Sequence, residues 1–158
     1  MNNNHKGTRV FRWLIFSLVM VLVAACAKEL PPEPTRVTIN IETAGDINPN
    51  SEGRSSPLSL RIYQLKSASS FKKTDFMSLF ESDESVLGTA LLKKEEIFLK
   101  ANEQRTVFFE AEADISDLGL MAAFRSYERS QWKVTTTVIP HQFNQINVRI
   151  SGTTITVQ

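Results

Sequence analysis

Residues 36–43 read Arg-Val-Thr-Ile-Asn-Ile-Glu-Thr, and their pattern indicates the fold class of the whole chain. Val37, Ile39 and Ile41 alternate with polar residues. This period of two predicts a β-strand with one face in the core and the other in solvent. The same alternation returns in residues 58–65, so we expect a domain built from strands of this kind.

Further short segments with strand character follow in the second half of the chain. Ala101-Asn102-Glu103 separates two of them and predicts a hairpin turn. Residues 118–124 are almost continuously apolar, so periodicity alone allows a buried strand or a helix, and the short length favours the strand. Seven or eight closely spaced strands without long helical crossovers predict an all-β, two-sheet antiparallel β-sandwich. The other predicted strands are residues 95–100, 104–111, 132–139, 145–151 and 154–157.

The hydrophobic period lengthens between residues 67 and 81. This pattern predicts one or two short amphipathic helices, capped by Ser70 or Thr74 and folded onto the edge of a sheet. Gly88 closes the helical insertion. The apolar residues that carry the longer period are Phe71, Phe76, Leu79 and Phe80.

The loop between the first two strands, residues 44–57, contains a spacing that resembles a calcium loop. Asp46, Asn48 and Asn50 stand where an EF-hand begins. The sixth and twelfth positions of that motif require Gly and Glu, and the sequence has Ser51 and another mismatch, Pro57. We therefore expect local turns made by Asx side chains and no metal site. The loop is also expected to hold few core residues.

The chain begins with a basic segment followed by residues 13–26, W-L-I-F-S-L-V-M-V-L-V-A-A-C, which carry no charge. This arrangement predicts a signal peptide at residues 1–25. A membrane-spanning helix is disfavoured because about 15 residues span roughly 22 Å, against roughly 30 Å of hydrocarbon. Val23-Ala24-Ala25-Cys26 resembles a bacterial lipobox, and Cys26 is the only cysteine. The alternative is an ordinary signal peptide followed by a chance cysteine.

The lipobox resemblance implies that Cys26 becomes the acylated N-terminus of the mature chain. Ala27 stands where an Asp favours inner-membrane retention in enteric-type bacteria, so the resemblance implies the periplasmic face of the outer membrane. Residues 26–35 carry three prolines and predict a stiff tether, although their last few residues can also pack on the domain. Residues 36–158 form the predicted β-sandwich domain.

The composition of the mature chain disfavours several functional classes. It carries 15 basic and 17 acidic residues, so neither nucleic acid nor an anionic membrane surface is an obvious partner. His141 is its only histidine, and one histidine without a nucleophile motif indicates a surface residue rather than a catalytic base. The chain has no glycine-rich phosphate loop, and we predict no enzyme activity, no cofactor and no metal.

Several motifs in the same order resemble the TssJ (SciN-type) family, the outer-membrane lipoproteins of bacterial type VI secretion. The motifs are Asn48-Pro49-Asn50, Gly53–Pro57, Leu60–Leu65, Phe76 with Leu79, Leu87-Gly88, Leu91-Leu92 and Leu118–Arg125. Trp132 follows the last of them at a suitable distance. The turn Ala101-Asn102-Glu103 departs from the Pro-Gly-Glu that is usual in the family.

The resemblance implies a transthyretin-like β-sandwich with added helices, anchored in the outer membrane through Cys26. It implies that the domain binds the periplasmic C-terminal domain of the inner-membrane protein TssM, in a complex with TssL. The implied contact region is the first loop, with Asn48, Pro49, Asn50, Gly53 and Arg54 as candidate binding residues. The alternatives are an envelope lipoprotein that binds a small ligand or another envelope protein, and, less favoured, a periplasmic hydrolase.

Overall fold

The computed structural model describes residues 32–158. The predicted signal peptide, Cys26 and most of the predicted tether lie outside these residues. The described strands are β1 (Arg36–Thr43), β2 (Leu58–Leu65), β3 (Leu91–Leu99), β4 (Gln104–Glu110), β5 (Asp117–Ala122), β6 (Lys133–Thr137), β7 (Phe143–Ser151) and β8 (Thr154–Val157). The α-helices are α1 (Ser69–Lys73) and α2 (Phe76–Leu87), and 3₁₀ turns occupy Gly88–Ala90 and Tyr127–Arg129.

The strands form two four-stranded sheets, with the orders β4-β1-β7-β8 and β3-β2-β5-β6. The predicted β-sandwich with a helical insertion is therefore confirmed. One pairing departs from the antiparallel expectation, because β1 and β7 run parallel from Arg36 beside Phe143 to Thr43 beside Ile150. Parallel neighbours need a long crossover between them. Here the crossover is formed by β2 to β6, which include the whole second sheet.

The main hydrophobic core lies between the two sheets. Val37, Ile39 and Ile41 point inward from β1, and Leu60 and Ile62 point inward from β2. All five side chains are almost completely buried, as the alternation predicted. A shift of the register by one residue would turn each strand's apolar set to solvent, so burial fixes the register.

The bounds of β3 to β7 differ by one to four residues from the predicted ones, and the differences in β3 and β5 are the most informative. β3 begins at Leu91, whereas the sequence pattern predicted a start at residue 95. The strand lies at the edge of its sheet, and its Lys and Glu side chains obscure the apolar pattern on which the prediction depended. Charged side chains on an edge strand discourage pairing with other molecules. β5 ends at Ala122, so Phe124 belongs to the following connection, although its side chain is buried.

The helical insertion covers the outer face of the second sheet, and the predicted position at a sheet edge is wrong. Its apolar side chains pack on the two inner strands of that sheet because those strands carry apolar residues on both faces. Asp75 caps α2 by accepting a hydrogen bond from Ser78 N at 3.0 Å, whereas Thr74 ends α1. This second hydrophobic cluster consists of Tyr63, Leu65, Phe71, Phe76, Leu79, Leu87 and Met121.

Gly119 allows α1 to approach β5 closely. A Cβ atom at this position would lie 2.9 Å from the ring of Phe71, which is completely buried. The aromatic ring therefore occupies the space that any other residue at position 119 would fill. Lys133 holds the end of the same helix, because its Nζ donates to the carbonyl oxygens of Phe71, Lys72 and Thr74 at 2.6–3.0 Å.

A charged cluster fixes α2 to the sheet. Ser82 has non-helical backbone angles, and the buried Asp83 follows it. The Asp83 carboxylate accepts hydrogen bonds from Tyr63 Oη at 3.0 Å, Lys94 Nζ at 2.9 Å and Arg61 Nη1 at 3.3 Å. Burial alone would raise the pKa of Asp83, but the hydrogen bonds from Lys94 and Tyr63 outweigh it and hold the pKa below its usual value.

Replacing Asp83→Asn removes the charge on which these three donors converge. We expect a loss of about 2–4 kcal/mol in the free energy of unfolding, less than for a fully buried pair because Lys94 reaches solvent. Because the folded-state pKa of Asp83 is lowered, its contribution is present above roughly pH 4 and is lost as the pH falls through the folded-state pKa. Urea unfolding as a function of pH measures both effects.

Asp114→Asn is the matched control, because Asp114 pairs with Lys66 at 2.8 Å on the exposed surface. It should cost much less than Asp83→Asn, because solvent screens an exposed ion pair. Equal losses for the two variants would show that the Asp83 cluster contributes no more than a surface ion pair.

Candidate functional site

The chain enters β1 at one end of the sandwich, and the β1–β2 loop lies at the other end. We call the end where β1 begins the tether end and the end where β1 stops the loop end. β1 has eight residues, so the two ends are separated by roughly 26 Å of strand. The loop end consists of the β1–β2 loop, the β3–β4 turn, the β5–β6 connection and the β7–β8 turn.

Asn48 joins three of these segments. Its backbone N–H donates to Gly152 O at 2.8 Å, its Nδ2 donates to Pro57 O at 2.8 Å, and its Oδ1 accepts from Arg125 N at 2.9 Å. The residue is only 3% exposed and has a φ of 46°. Asn adopts this left-handed conformation more easily than most residues. Asn48 therefore stabilises the loop end through its hydrogen bonds, and almost none of its surface is accessible to a partner.

Asn50 closes the tip of the β1–β2 loop. Its Oδ1 accepts hydrogen bonds from Glu52 N at 3.0 Å and Arg54 N at 2.9 Å, which makes the predicted Asx turn. Gly53 has a φ of 76° and donates from its backbone to Asn50 O. Residues 50–54 thus form a closed turn whose shape depends on its own hydrogen bonds.

The tip presents Arg54, whose side chain is 74% exposed and forms an ion pair with Glu52. Pro49 is half-buried and lies between the buried Asn48 and the exposed tip of the loop. The base of the loop is part of the core, because Ile47 is completely buried. Within residues 44–57 only Ile47 and Asn48 are buried, so the loop holds few core residues, as expected.

The side-chain oxygens of the calcium-like spacing accept hydrogen bonds from backbone N–H groups. Asp46 Oδ1 accepts from Gly152 N at 3.0 Å, and the Oδ1 atoms of Asn48 and Asn50 are bonded to backbone N–H groups. Within residues 32–158 no group of His, Cys, Asp and Glu side chains is arranged to hold a metal ion. These oxygens build the loop end instead.

Arg125 is an exposed residue of the loop end that sequence reasoning did not select as a site residue. Its backbone is held beside Asn48, so its side chain leaves the surface close to the β1–β2 loop. The Phe124-Arg125 pair was part of the family resemblance, but only the folded chain brings it next to a loop about 77 residues away.

A polar groove lies over β4, β1 and β7. It has a volume of about 550 Å³ and contains no aromatic residue. Asn40 and Asn147 are hydrogen-bonded at 3.1 Å within it, and Arg149 pairs with Glu42 at 3.1 Å. Because binding sites for small molecules are mostly apolar, this groove does not favour such a ligand.

The tether end holds the last residues before β1 firmly. Thr35 Oγ1 accepts from His141 N at 2.8 Å, and Thr35 O accepts from Ala111 N at 2.8 Å. The Nδ1 atom of His141 lies 2.9 Å from Glu33 O. Residues 33–35 are thus ordered against the domain. Among the described residues no helix has the length and apolar character needed to cross a bilayer.

The fold and the loop end define the class of protein: a β-sandwich domain with a hydrogen-bonded loop cluster at one end. The family described as type VI secretion lipoprotein (SciN; VasD, EvfM, TssJ) matches residues 35–153. The chain belongs to this family of type VI secretion lipoproteins, as its sequence motifs predicted. No curated protein sequence matches the chain.

Solved structures of secretion components share the fold. The chain is similar to the type VI secretion lipoprotein TssJ1 from Pseudomonas aeruginosa, with 29% identity, a TM-score of 0.76, and coverage of 79% of this chain and 95% of that chain. Lip from Serratia marcescens, a membrane-bound component of the system, matches with 18% identity, a TM-score of 0.74, and coverage of 79% and 96%. A structure described as the TssM C-terminal domain from EAEC matches with 21% identity, a TM-score of 0.66, and coverage of 78% and 98%.

Truncating Asn48→Ala tests the supporting role of this residue. The change leaves Arg125 N and Pro57 O without their partner in a buried place, so we expect a loss of about 1–3 kcal/mol in the free energy of unfolding. Arg54→Ala should change it by less than about 0.5 kcal/mol, because the side chain is exposed. Urea unfolding distinguishes them, and an Asn48→Ala variant as stable as the wild type would contradict the assignment.

Proposed function

We propose that this protein is a non-enzymatic, outer-membrane-anchored component of the trans-envelope complex of type VI secretion. Residues 1–25 are its signal peptide, Cys26 carries the acyl chains, residues 26–35 are the tether, and residues 36–158 are the binding domain. The loop end binds the periplasmic C-terminal domain of TssM, within a complex that includes TssL. Family membership supports the secretion role, and the lipobox resemblance with Ala27 supports the outer membrane.

The observation that carries the proposal is the position of the two ends. The chain comes from Cys26 into the start of β1, and the β1–β2 loop begins where β1 stops. An anchor at the tether end therefore leaves the loop end free to extend away from the membrane, toward a partner that rises from the inner membrane. Loops on a rigid scaffold are common places for binding residues.

The chemistry of the loop end fits a partner that supplies hydrogen-bond acceptors. Arg54 offers an exposed guanidinium with five donors, and Arg125 emerges nearby. Glu52 already pairs with Arg54, which holds the guanidinium near one orientation before binding. We therefore infer that the complementary surface of TssM carries carboxylates or carbonyl oxygens opposite Arg54.

A calorimetric titration of residues 27–158 with the TssM periplasmic domain from the same organism tests partner binding. We expect saturable binding that Arg54→Ala weakens by at least about tenfold, since arginine is frequent among the residues that dominate interfaces. Arg36→Ala is the matched control, because Arg36 is half-exposed and pairs with Glu110 at the tether end. An equal loss in both variants, or no binding between folded partners, would overturn the proposed role of the loop end.

Changing Cys26→Ser tests the anchor separately. The described core lies wholly between residues 35 and 158, so the variant should fold with unchanged thermal stability. It should leave the membrane fraction and abolish secretion, because a triply acylated cysteine is expected to hold the domain permanently. Cell fractionation with a secretion assay measures this, and normal outer-membrane fractionation of the variant would refute lipidation at Cys26.

A further inference from the structure

The longest charge-free part of the described chain surrounds the β6–β7 loop. Residues 134–148 contain no Asp, Glu, Lys or Arg, although 22% of the whole chain is charged. Ile139 and Phe143 stand at the two ends of this loop and are 55% and 62% exposed. Exposed apolar side chains on an uncharged loop are unusual at a surface that meets only water.

The backbone of this loop is already hydrogen-bonded within the protein. Asn144 is buried, its Oδ1 accepts from Ile139 N at 2.8 Å, and its Nδ2 donates to Ile139 O at 2.9 Å and Gln142 O at 3.1 Å. Arg36 N also donates to Gln142 O, at 3.0 Å. These paired backbone groups can enter a water-poor environment at lower cost than unpaired groups would.

The loop lies directly beside the chain that leads to Cys26. His141, at the middle of the loop, holds Glu33 O through its ring and Thr35 Oγ1 through its backbone N–H. Glu33 is only seven residues from Cys26. At about 3.1 Å per residue for a proline-rich segment, the loop stays within roughly 22 Å of the anchored cysteine.

We propose that residues 139–143 contact the surface of the bilayer leaflet that carries the anchor, with Ile139 and Phe143 inserted at the boundary between headgroups and acyl chains. The proposal rests on the lipid anchoring proposed above. The contact is apolar and needs no anionic lipid, since the charged groups around it are of both signs. These groups are Glu33, Arg36, Lys66, Glu110 and Asp114.

This contact would orient the domain as well as hold it. A single attachment point permits many orientations of the sandwich on the membrane. A second contact beside the tether limits them to those in which β1 points away from the bilayer. The loop end is then presented to the periplasm without depending on the tether's own stiffness.

Partition of a weakly anchored protein onto phosphatidylcholine vesicles tests the proposal. In residues 26–158, which retain both hydrophobic clusters, a single myristoyl-length chain is attached to Cys26 through a maleimide. One such chain gives only marginal binding, so a second contact is measurable. The double variant Ile139→Ser and Phe143→Ser should lower the partition constant by about tenfold. Phe98→Ser, which removes an aromatic residue 67% exposed on the other sheet, should change it less than twofold.

A second measurement uses the fluorescence of introduced tryptophans. Phe143→Trp should shift its emission to the blue when vesicles bind, and Phe98→Trp should not. Equal partition of the double variant and the wild type, or a requirement for anionic lipid, would overturn the loop contact. Because the synthetic chain bypasses cellular processing, such a failure is distinct from a failure of natural lipidation, which the fractionation of Cys26→Ser reports.

Discussion

The pairing of β1 on both sides is the constraint on which the other parts of the molecule depend. β1 is bonded to β7 along its whole length and to β4 from Arg36 to Glu42. Both partners come from distant parts of the chain, so neither pairing forms until the polypeptide has folded back across two sheets. Once made, they place the entry of the chain at one end and the β1–β2 loop at the other. The proposed division between membrane and partner follows from this single strand.

The two sheets differ in what covers their outer faces, and the strand sequences reflect it. β1 and β7 alternate strictly because their outer residues, such as Asn40 and Asn147, remain in water. β5 is buried on nearly every residue because α1 and α2 lie over it. A continuous apolar run is typical of a strand covered on both faces. The apolar stretch at residues 118–124 therefore already contained information about the position of the helices.

Local patterns were sufficient to predict most strands, the two short helices and the turn at Asn102, whose φ is 57°. They were insufficient wherever distant residues meet. The parallel pairing of β1 with β7, the bonds of Asn48 to Arg125 and the donors around Asp83 join segments far apart in sequence. The candidate binding residues remain a prediction, and the sequence did not separate Asn48, which is buried beneath the loop, from Arg54, which is exposed. Burial alone makes that distinction.

The central position of β1 also has a mechanical consequence. If the membrane holds the start of β1 and a partner holds the loop at its end, a pulling force runs along the strand itself. Such a force shears β1 against β4 and β7, and it loads the hydrogen bonds of both ladders together. A hairpin pulled open from one end would instead lose its bonds one after another. The arrangement of β1 between β4 and β7 would therefore let the domain resist such a force with all of these bonds at once.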